Sequence, residues 1–528
     1  MEFVRTLARA CHAVPPRPGR KLRSRASRMD MFRKVLACAI TPLFILAPSA
    51  PRLVARQPAA PVFRDSTALP SGSRGDRIRS FIETVNAGSV DRIRRFLNVE
   101  CTREFQQSVP LDDHISATLG FSRDTGGIDF YSVRTYTPER PGTTVVIVKD
   151  RLLDSWSAIS FSFGDGPTSP VTSLRTTPAR PPAGVRSPAT EREALEEIRA
   201  VLSRLHRQNW LSGTVLVAKG PAVRLTDYAG EANKGDHARI NLDTKFNLGS
   251  MNKMFTATAV ARLVEAGKLS FDDRVSKYLD ETWLPRAVTD RIMIRHLITH
   301  TSGLGSYFNE EYVKSSRDLF RALDDYKPLI RNDRPAFTPG ERFQYSNTGM
   351  FLLGVVIENV TGEDYFTHIR RAIYAPAGMT STDSYEMDYP VENLAIGYSP
   401  DWKSPYQWQN NLYRHVIKGG PAGGGFSTVG DLHRFALALL SGKLVSSAML
   451  KTMWQDVKGE NYGYGFSVAQ GPGGKSVGHN GGFRGINAQL DIYTDSGYIV
   501  AVLSNRDNGA SPLADRIGSA LGGVKASR

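Results

Sequence analysis

Ser250 stands three residues before Lys253 in the run Phe246-Asn247-Leu248-Gly249-Ser250-Met251-Asn252-Lys253-Met254-Phe255. At that spacing two side chains share one face of a helix. A serine hydroxyl is a weak nucleophile at neutral pH, and an amine kept neutral by burial or by other cations can take its proton. The N-terminus of the same helix would add free N–H groups able to hold an oxyanion. By itself the pair also describes an N-cap serine followed by a solvated lysine, so its meaning depends on its company.

Two further stations supply that company. Residues 337–349 carry Tyr345-Ser346-Asn347 on a turn before an apolar helix expected at 350–360. A capped helix entrance with a core tyrosine would look the same. Read as chemistry, the Tyr345 phenol, its pKa lowered by the neighbouring lysine, relays protons to a leaving group, while the Asn347 amide bonds the substrate. The third station is Gly478-His479-Asn480-Gly481-Gly482-Phe483-Arg484-Gly485, ahead of a strand expected at 486–493. Its glycines let a substrate approach the backbone, as an edge strand lining a cleft requires.

The order Ser-x-x-Lys, Tyr-Ser-Asn, His-x-Gly resembles the three motifs of serine β-lactamases and penicillin-binding proteins. It is most similar to the class C β-lactamase-related group, which includes D-alanyl-D-alanine peptidases and esterases. Segments 297–304, 349–362 and 424–428 resemble characteristic stretches of the same family, and the likeness covers roughly residues 190–520. The resemblance implies that Ser250 attacks a carbonyl and is acylated, with Lys253 and Tyr345 sharing base and acid duties. Which of the two takes the serine proton stays open. It also implies an oxyanion hole made by the backbone N–H groups of Ser250 and Gly482, substrate contacts from Asn347, His479, Gly481 and Arg484, and no metal or organic cofactor. Many β-lactamases carry lysine where this chain has His479, so anchoring of a substrate carboxylate is expected to be weaker unless Arg484 replaces the charge. That departure favours an esterase or a D-amino-acid-directed peptidase or amidase, acting on a small-molecule or peptide-like substrate, over a true β-lactamase. The rival from another class is a non-catalytic penicillin-binding or sensor protein. Loss of the serine, lysine or tyrosine would have favoured it, and all three are present. His300, in Thr299-His300-Thr301-Ser302, reads as a buried structural histidine and not as part of a second triad.

Residues so far apart in sequence need a scaffold that joins both ends of the domain. A helix expected at 190–208, a hairpin at 213–228, a mainly helical stretch at 250–441, and strands at 463–470, 486–493 and 498–504 imply an α/β fold. This is the β-lactamase/transpeptidase-like fold of the resemblance: one antiparallel sheet flanked by helices, plus a helical lobe. Residues 190–525 make this hydrolase domain. A small α+β domain is expected before it at 74–177, weakly similar to nuclear-transport-factor-2-like modules, and a Pro-rich linker at 178–189 separates the two. Aromatic residues on its strands (Phe130, Tyr131, Trp156, Phe161) read as ordinary core. A further linker is expected at 51–73.

Residues 1–50 read as a leader. Residues 1–56, the leader and the start of the linker, hold twelve Lys/Arg against two acids, which accounts for ten of the fifteen net positive charges in the 528-residue chain. Charge confined to a leader is a targeting feature, and no nucleic-acid motif accompanies it. Arg33-Lys34, an apolar run at 35–47 and small residues to Ala50 read as a secretory signal peptide, with the true start expected at Met29 or Met31 and a secreted or periplasmic destination. Cys38 does not sit as a lipidation site would. No run of about 18 apolar residues exists, so no permanent membrane span is expected. Of three cysteines only Cys101 lies beyond the leader, which leaves no internal disulfide and no zinc pattern. Nothing in the sequence fixes the oligomeric state.

Overall fold

In the computed structural model, which describes residues 62–524 apart from 139–141, 167, 183, 405 and 472, five strands follow one another as an antiparallel meander. They are β1 Val62–Ser66, β2 Ile128–Thr137, β3 Thr143–Asp150, β4 Trp156–Phe163 and β5 Val171–Pro178. The expected leader with its expected signal peptide, Cys38 and both candidate starts lie outside the described residues. Strand β1 falls in the segment expected as a linker. It pairs with β2 because Asp65 meets the buried Arg134 guanidinium at 2.8 Å and Phe63 lies beneath that cation at 3.7 Å. Helices α1 Ser73–Ala87, α2 Val90–Glu100, α3 Arg103–Gln107 and α4 Leu111–Thr125 complete the module. Val146 and Val148 of β3 turn towards Ile78, Phe81, Phe96 and Ile115 of the helices, while the alternate Val145 and Ile147 pack on the other face. Phe161 is core; Tyr131 and Trp156 meet edge to face at 4.8 Å. Cys101 is buried, and burial pushes its thiol up to about 12, so it is an inert small hydrophobe.

The larger, C-terminal portion begins with α5 Glu191–Arg207, entered through a capping box of Thr190 and Glu193. Strands β6 Gly213–Lys219 and β7 Ala222–Ala229 form the expected hairpin. Far along the chain come β8 Ser467–Gly471, β9 Gly474–Phe483, β10 Ile486–Tyr493 and β11 Tyr498–Ser504, then the final helix Ser511–Leu521. The sheet runs β8-β9-β10-β11-β6-β7, antiparallel throughout, so strands from the two ends of this portion of the chain join at β11 and β6 in the middle of the sheet. Both central strands are buried on both faces. Val215, Val217, Val500 and Val502 pack under α5 and the last helix, whereas Leu216, Ala218, Ile499 and Ala501 join the larger core of the helical middle. Among the described residues no helix is long and apolar enough to cross a membrane.

The module is seated on this portion by the turn after β3. Leu152 and Leu153 are buried in the core formed by α5 and the last helix, and Arg204 Nε and Arg516 Nε donate to their carbonyl oxygens at 2.7 and 2.6 Å.

One strand residue opposes this packing. Asp491 on β10 is 8 % exposed, and burial pushes its carboxyl up from 3.8 to about 7 against a hydrogen bond from Gln489 Nε2 at 2.9 Å. Between these two values the folded chain holds a proton that the unfolded chain has released, so stability falls as pH rises through that window and levels off above it. Asp491→Asn removes this residue's part of the dependence and leaves that of the neighbouring Asp515, which burial raises to about 6. Urea unfolding is expected to find the variant more stable than wild type at pH 8, by on the order of a few kcal/mol, with the difference shrinking towards pH 4.

Candidate active site

Strand Phe246–Asn247 enters the site and turns sharply at Gly249, whose φ of 50° is a left-handed value that glycine adopts without strain. Asn247 Oδ1 accepts the Gly249 N–H at 2.9 Å, and the Gly249 carbonyl accepts from Gly424 N–H at 3.1 Å. Ser250 therefore sits in a single 3₁₀ turn, Gly249–Met251, immediately before the helix Asn252–Glu265 (α6). Most of α6 is buried, because it runs through the larger core.

Lys253 is fully buried at the start of α6, and its Nζ lies 3.0 Å from Ser250 Oγ, 2.9 Å from Asn347 Oδ1 and 2.6 Å from the Ala422 carbonyl oxygen. No carboxylate among the described residues pairs with it. Burial alone drives its pKa well below the usual lysine value. Two of its three neighbours, an amide oxygen and a carbonyl oxygen, can only accept. A neutral amine gives its two hydrogens to those and is left with one lone pair, directed at the Ser250 hydroxyl.

The remaining pieces are held by the segment after α6. Ser346 caps the helix Asn347–Thr361 (α7): its Oγ accepts from Gly349 N–H at 2.8 Å and donates to the Gly305 carbonyl at 2.9 Å. Asn347 Nδ2 donates to Ser306 Oγ at 3.1 Å, and Asp333 accepts the Gly305 N–H at 3.0 Å. The Asn347 amide thus accepts from the lysine and donates to Ser306 inside the protein, and its second Nδ2 hydrogen has the capacity for the expected contact with substrate.

Tyr345 covers the lysine, with Nζ 4.8 Å from the ring centroid, and 40 % of the residue meets solvent. The expectation of a lowered phenol pKa is overturned. The apolar surroundings of the hydroxyl raise it, only partly offset by the Ser250 hydroxyl. His300 lies behind, ring centroids 4.3 Å from Tyr345, fully buried, with Nδ1 accepting the Ser346 N–H at 3.1 Å. It is a structural histidine, as its sequence setting implies.

Strand β9 passes directly beside the serine turn. A methyl on Gly481 would lie 1.8 Å from the Leu248 carbonyl oxygen and 3.1 Å from the Ser250 nitrogen, and one on Gly249 would lie 3.0 Å from the Gly482 nitrogen. The backbone nitrogens of Ser250 and Gly482 are therefore near neighbours, the arrangement an oxyanion hole needs. Strand β8 pairs with β9 only from Gly474 to Gly478, so the strand is an edge only over its second half, 479–483. His479 does not present its ring to the cleft. It is 2 % exposed, bonded through Nε2 to the Tyr462 hydroxyl at 3.1 Å and through Nδ1 to the Asn480 carbonyl, and burial lowers its pKa to about 3. A carboxylate-anchoring charge at this position is thus absent at neutral pH. Arg484 is exposed in the turn after β9, and among the described residues its guanidinium has no carboxylate within ion-pair distance.

The defining pattern of the beta-lactamase family matches residues 193–523, from the first turn of α5 to just past the last helix. The chain belongs to the beta-lactamase family. A penicillin-binding protein of Bacillus subtilis (strain 168) is 30% identical over 334 residues, which are 60% of this chain and 72% of that protein. The crystal structure of a penicillin binding protein from Bacillus halodurans, 32% identical, aligns with a TM-score of 0.55 over 61% of this chain and 98% of its own. A D-amino acid amidase from Ochrobactrum anthropi SV3 shares the fold, at 22% identity and a TM-score of 0.54, over 62% of this chain and 98% of that one. This beta-lactamase-family member is a serine hydrolase, with its N-terminal module outside the matched region.

Sequence reasoning missed three groups of this family member's site. The Ala422 carbonyl lies just ahead of Gly424-Gly425, a segment recognised by resemblance without a role. Ser306 follows the Thr-Ser-Gly-Leu segment by two residues. Tyr462 carries no local signal at all.

Proposed function

We propose that Ser250 is the nucleophile of an acyl-transfer hydrolysis in which Lys253 is the base and Tyr345 the acid. The observation that carries this reading is the buried amine with two pure acceptors and a lone pair 3.0 Å from Ser250 Oγ. Ser250 gives its proton to Lys253 Nζ as Oγ bonds the substrate carbonyl carbon, and the oxyanion rests on the Ser250 and Gly482 N–H groups. The raised phenol stays protonated at neutral pH, so Tyr345 is fitted to donate to the leaving group and be reprotonated from the lysine ammonium. The C–O or C–N bond breaks, leaving an acyl-Ser250 that water hydrolyses by the reverse relay.

For substrate we propose an ester or a D-amino-acid amide or peptide, including a D-alanyl-D-alanine end, ahead of a β-lactam. His479 is buried and neutral, so the third motif lacks the fixed cation that binds a lactam carboxylate. Arg484 supplies any anion preference, and the penicillin-binding relatives support a peptide-like acyl group. The relation to the class C group and a secreted or periplasmic setting belong to the same proposal, the latter resting on the leader. N-terminal sequencing of the natural protein should find cleavage near Ala50.

A fluorescent phosphonate tests the reaction class: wild type should form a stoichiometric adduct and Ser250→Ala none. Absence of a serine-dependent adduct would sink the reading in favour of a binding or sensor protein. On a panel of p-nitrophenyl esters, D-amino-acid amides and nitrocefin, kcat/KM should be lowest for nitrocefin. Nitrocefin turnover near the diffusion limit without ester cleavage would overturn the substrate assignment.

A further inference from the structure

Helix α4 of the N-terminal module touches the hydrolase portion at both of its ends, and both contacts lead to the same place. At its C-terminal end, Asp124 accepts from Arg506 Nη2 at 3.1 Å and from Asn508 Nδ2 at 2.9 Å. Between those two residues stands Asp507, whose carboxylate accepts the Gly485 N–H at 2.6 Å. At its N-terminal end, Ser116 Oγ accepts from Trp402 Nε1 at 3.0 Å and Asp112 pairs with Lys403. Trp402 and Lys403 form the tip of the hairpin Tyr398–Pro400 with Trp408–Asn410. At the base of that hairpin Asn411 accepts from Gly397 N–H at 3.2 Å and donates through Nδ2 to the Arg484 carbonyl at 2.9 Å.

Arg484 and Gly485 are the turn that ends β9, two and three residues after Gly482. One connector grips the Arg484 carbonyl and the other the Gly485 amide. The two also meet: Tyr398 N–H donates to the Asn505 carbonyl at 2.8 Å. The turn has no slack, since a methyl on Gly485 would lie 2.5 Å from the Tyr398 nitrogen. Arg506 is buried, its Nη1 donating to the Trp210 carbonyl at 2.8 Å, so the Asp124 tie is anchored in the core. A surface ion pair would do little.

We propose that the N-terminal module is a brace for the oxyanion-hole strand, with Asp124 and Trp402 as positioning residues that act through the Arg484–Gly485 turn. The inference rests on the reading of Ser250 and Gly482 above. An oxyanion donor works only when held at the right distance, and misplacement by about 1 Å is enough to cost on the order of a hundredfold. Losing one tie should cost less, because the other remains.

The test uses the full chain, with turnover of a p-nitrophenyl ester divided by the phosphonate-titrated concentration of Ser250. Asp124→Ala should lower kcat per titrated site by about tenfold with KM within about twofold. Asp124→Asn, which keeps an acceptor for Arg506, should recover most of it. Trp402→Phe, which removes only the indole N–H, should lower kcat by about threefold, and the double variant by more than either single one. Arg79→Ala, which breaks an exposed pair within the module, should change nothing. A purely structural contact would reduce the number of titratable sites and leave turnover per site alone. Turnover per site within about twofold of wild type in both Asp124→Ala and Trp402→Phe overturns the brace, as does an equal fall in Arg79→Ala. If Asp124→Ala does not fold, Trp402→Phe combined with Lys403→Met carries the same test. Labelling that survives Ser250→Ala would instead defeat the serine reading and leave the brace without its object.

Discussion

Lys253→Met should abolish acylation of Ser250, lowering kcat/KM by about 10³-fold or more, while the protein still folds. Methionine has nearly the length of the lysine stem and suits the apolar core around α6. It relieves the cost of a buried amine and leaves the Asn347 Oδ1 and Ala422 oxygens without a donor, two effects of opposite sign. Lys253→Arg separates two roles for the lysine. A guanidinium cannot be deprotonated in a protein, so it cannot take the serine proton, but it could lower the pKa of Tyr345 as a fixed cation. If the lysine is the base, both variants are dead; if arginine retains turnover, Tyr345 is the base and the relay runs the other way. The pH profile gives the same answer without mutation. The base must be unprotonated, so kcat/KM rises with pH through the folded pKa of Lys253 and is flat above it. Burial lowers that pKa well below 10.5, so the rising limb of stopped-flow acylation should lie well below that of an ordinary lysine. A limb centred near pH 10 would contradict it.

The parts legible in the sequence are those where the chemistry needs a side chain of one type at one spacing. Ser250 and Lys253 are joined by one helical turn, and Tyr345-Ser346-Asn347 by a cap, so short patterns carry them. What their partners do was less legible, because it depends on charge state. The raised Tyr345 phenol follows from the apolar surroundings of its hydroxyl and the neutral His479 from burial of its ring, and both are properties of the assembled sheet and lobe. The bond of Asn347 to the lysine was not legible for the same reason. The Ala422 carbonyl has no sequence signature, since every residue carries one. Leu152 and Leu153 carry no local signal, and only the packing of α5 with the last helix makes them a plug. Strand β1 was hidden by its proline-rich neighbours; its evidence, the Asp65 to Arg134 pair, spans 69 residues.

Gly481→Ala and Gly482→Ala, adjacent and chemically identical, should have opposite outcomes. The Gly481 backbone φ is not in the left-handed region, so the cost of alanine there is purely one of space. Its methyl would fall 1.8 Å from the Leu248 carbonyl oxygen and 2.8 Å from the carbon behind it, both backbone atoms of the serine turn that no rotamer change can clear. The strand or the turn must move, and either movement separates the Ser250 and Gly482 nitrogens. We expect kcat to fall by about 10²-fold or more, with a lowered melting temperature from the same overlap. At Gly482 a methyl meets nothing within 4 Å, and the N–H assigned to the oxyanion is unchanged. Its kcat/KM for a small ester should stay within about threefold of wild type, with any loss growing for bulkier acyl groups, because the methyl stands in open space beside the serine. Steady-state kinetics on p-nitrophenyl acetate and a longer ester separate these outcomes. Equal damage at both positions would mean that the strand needs flexibility and not close approach. Full activity in Gly481→Ala would mean that β9 is not held against the serine turn, and the oxyanion assignment to Gly482 would fall with it.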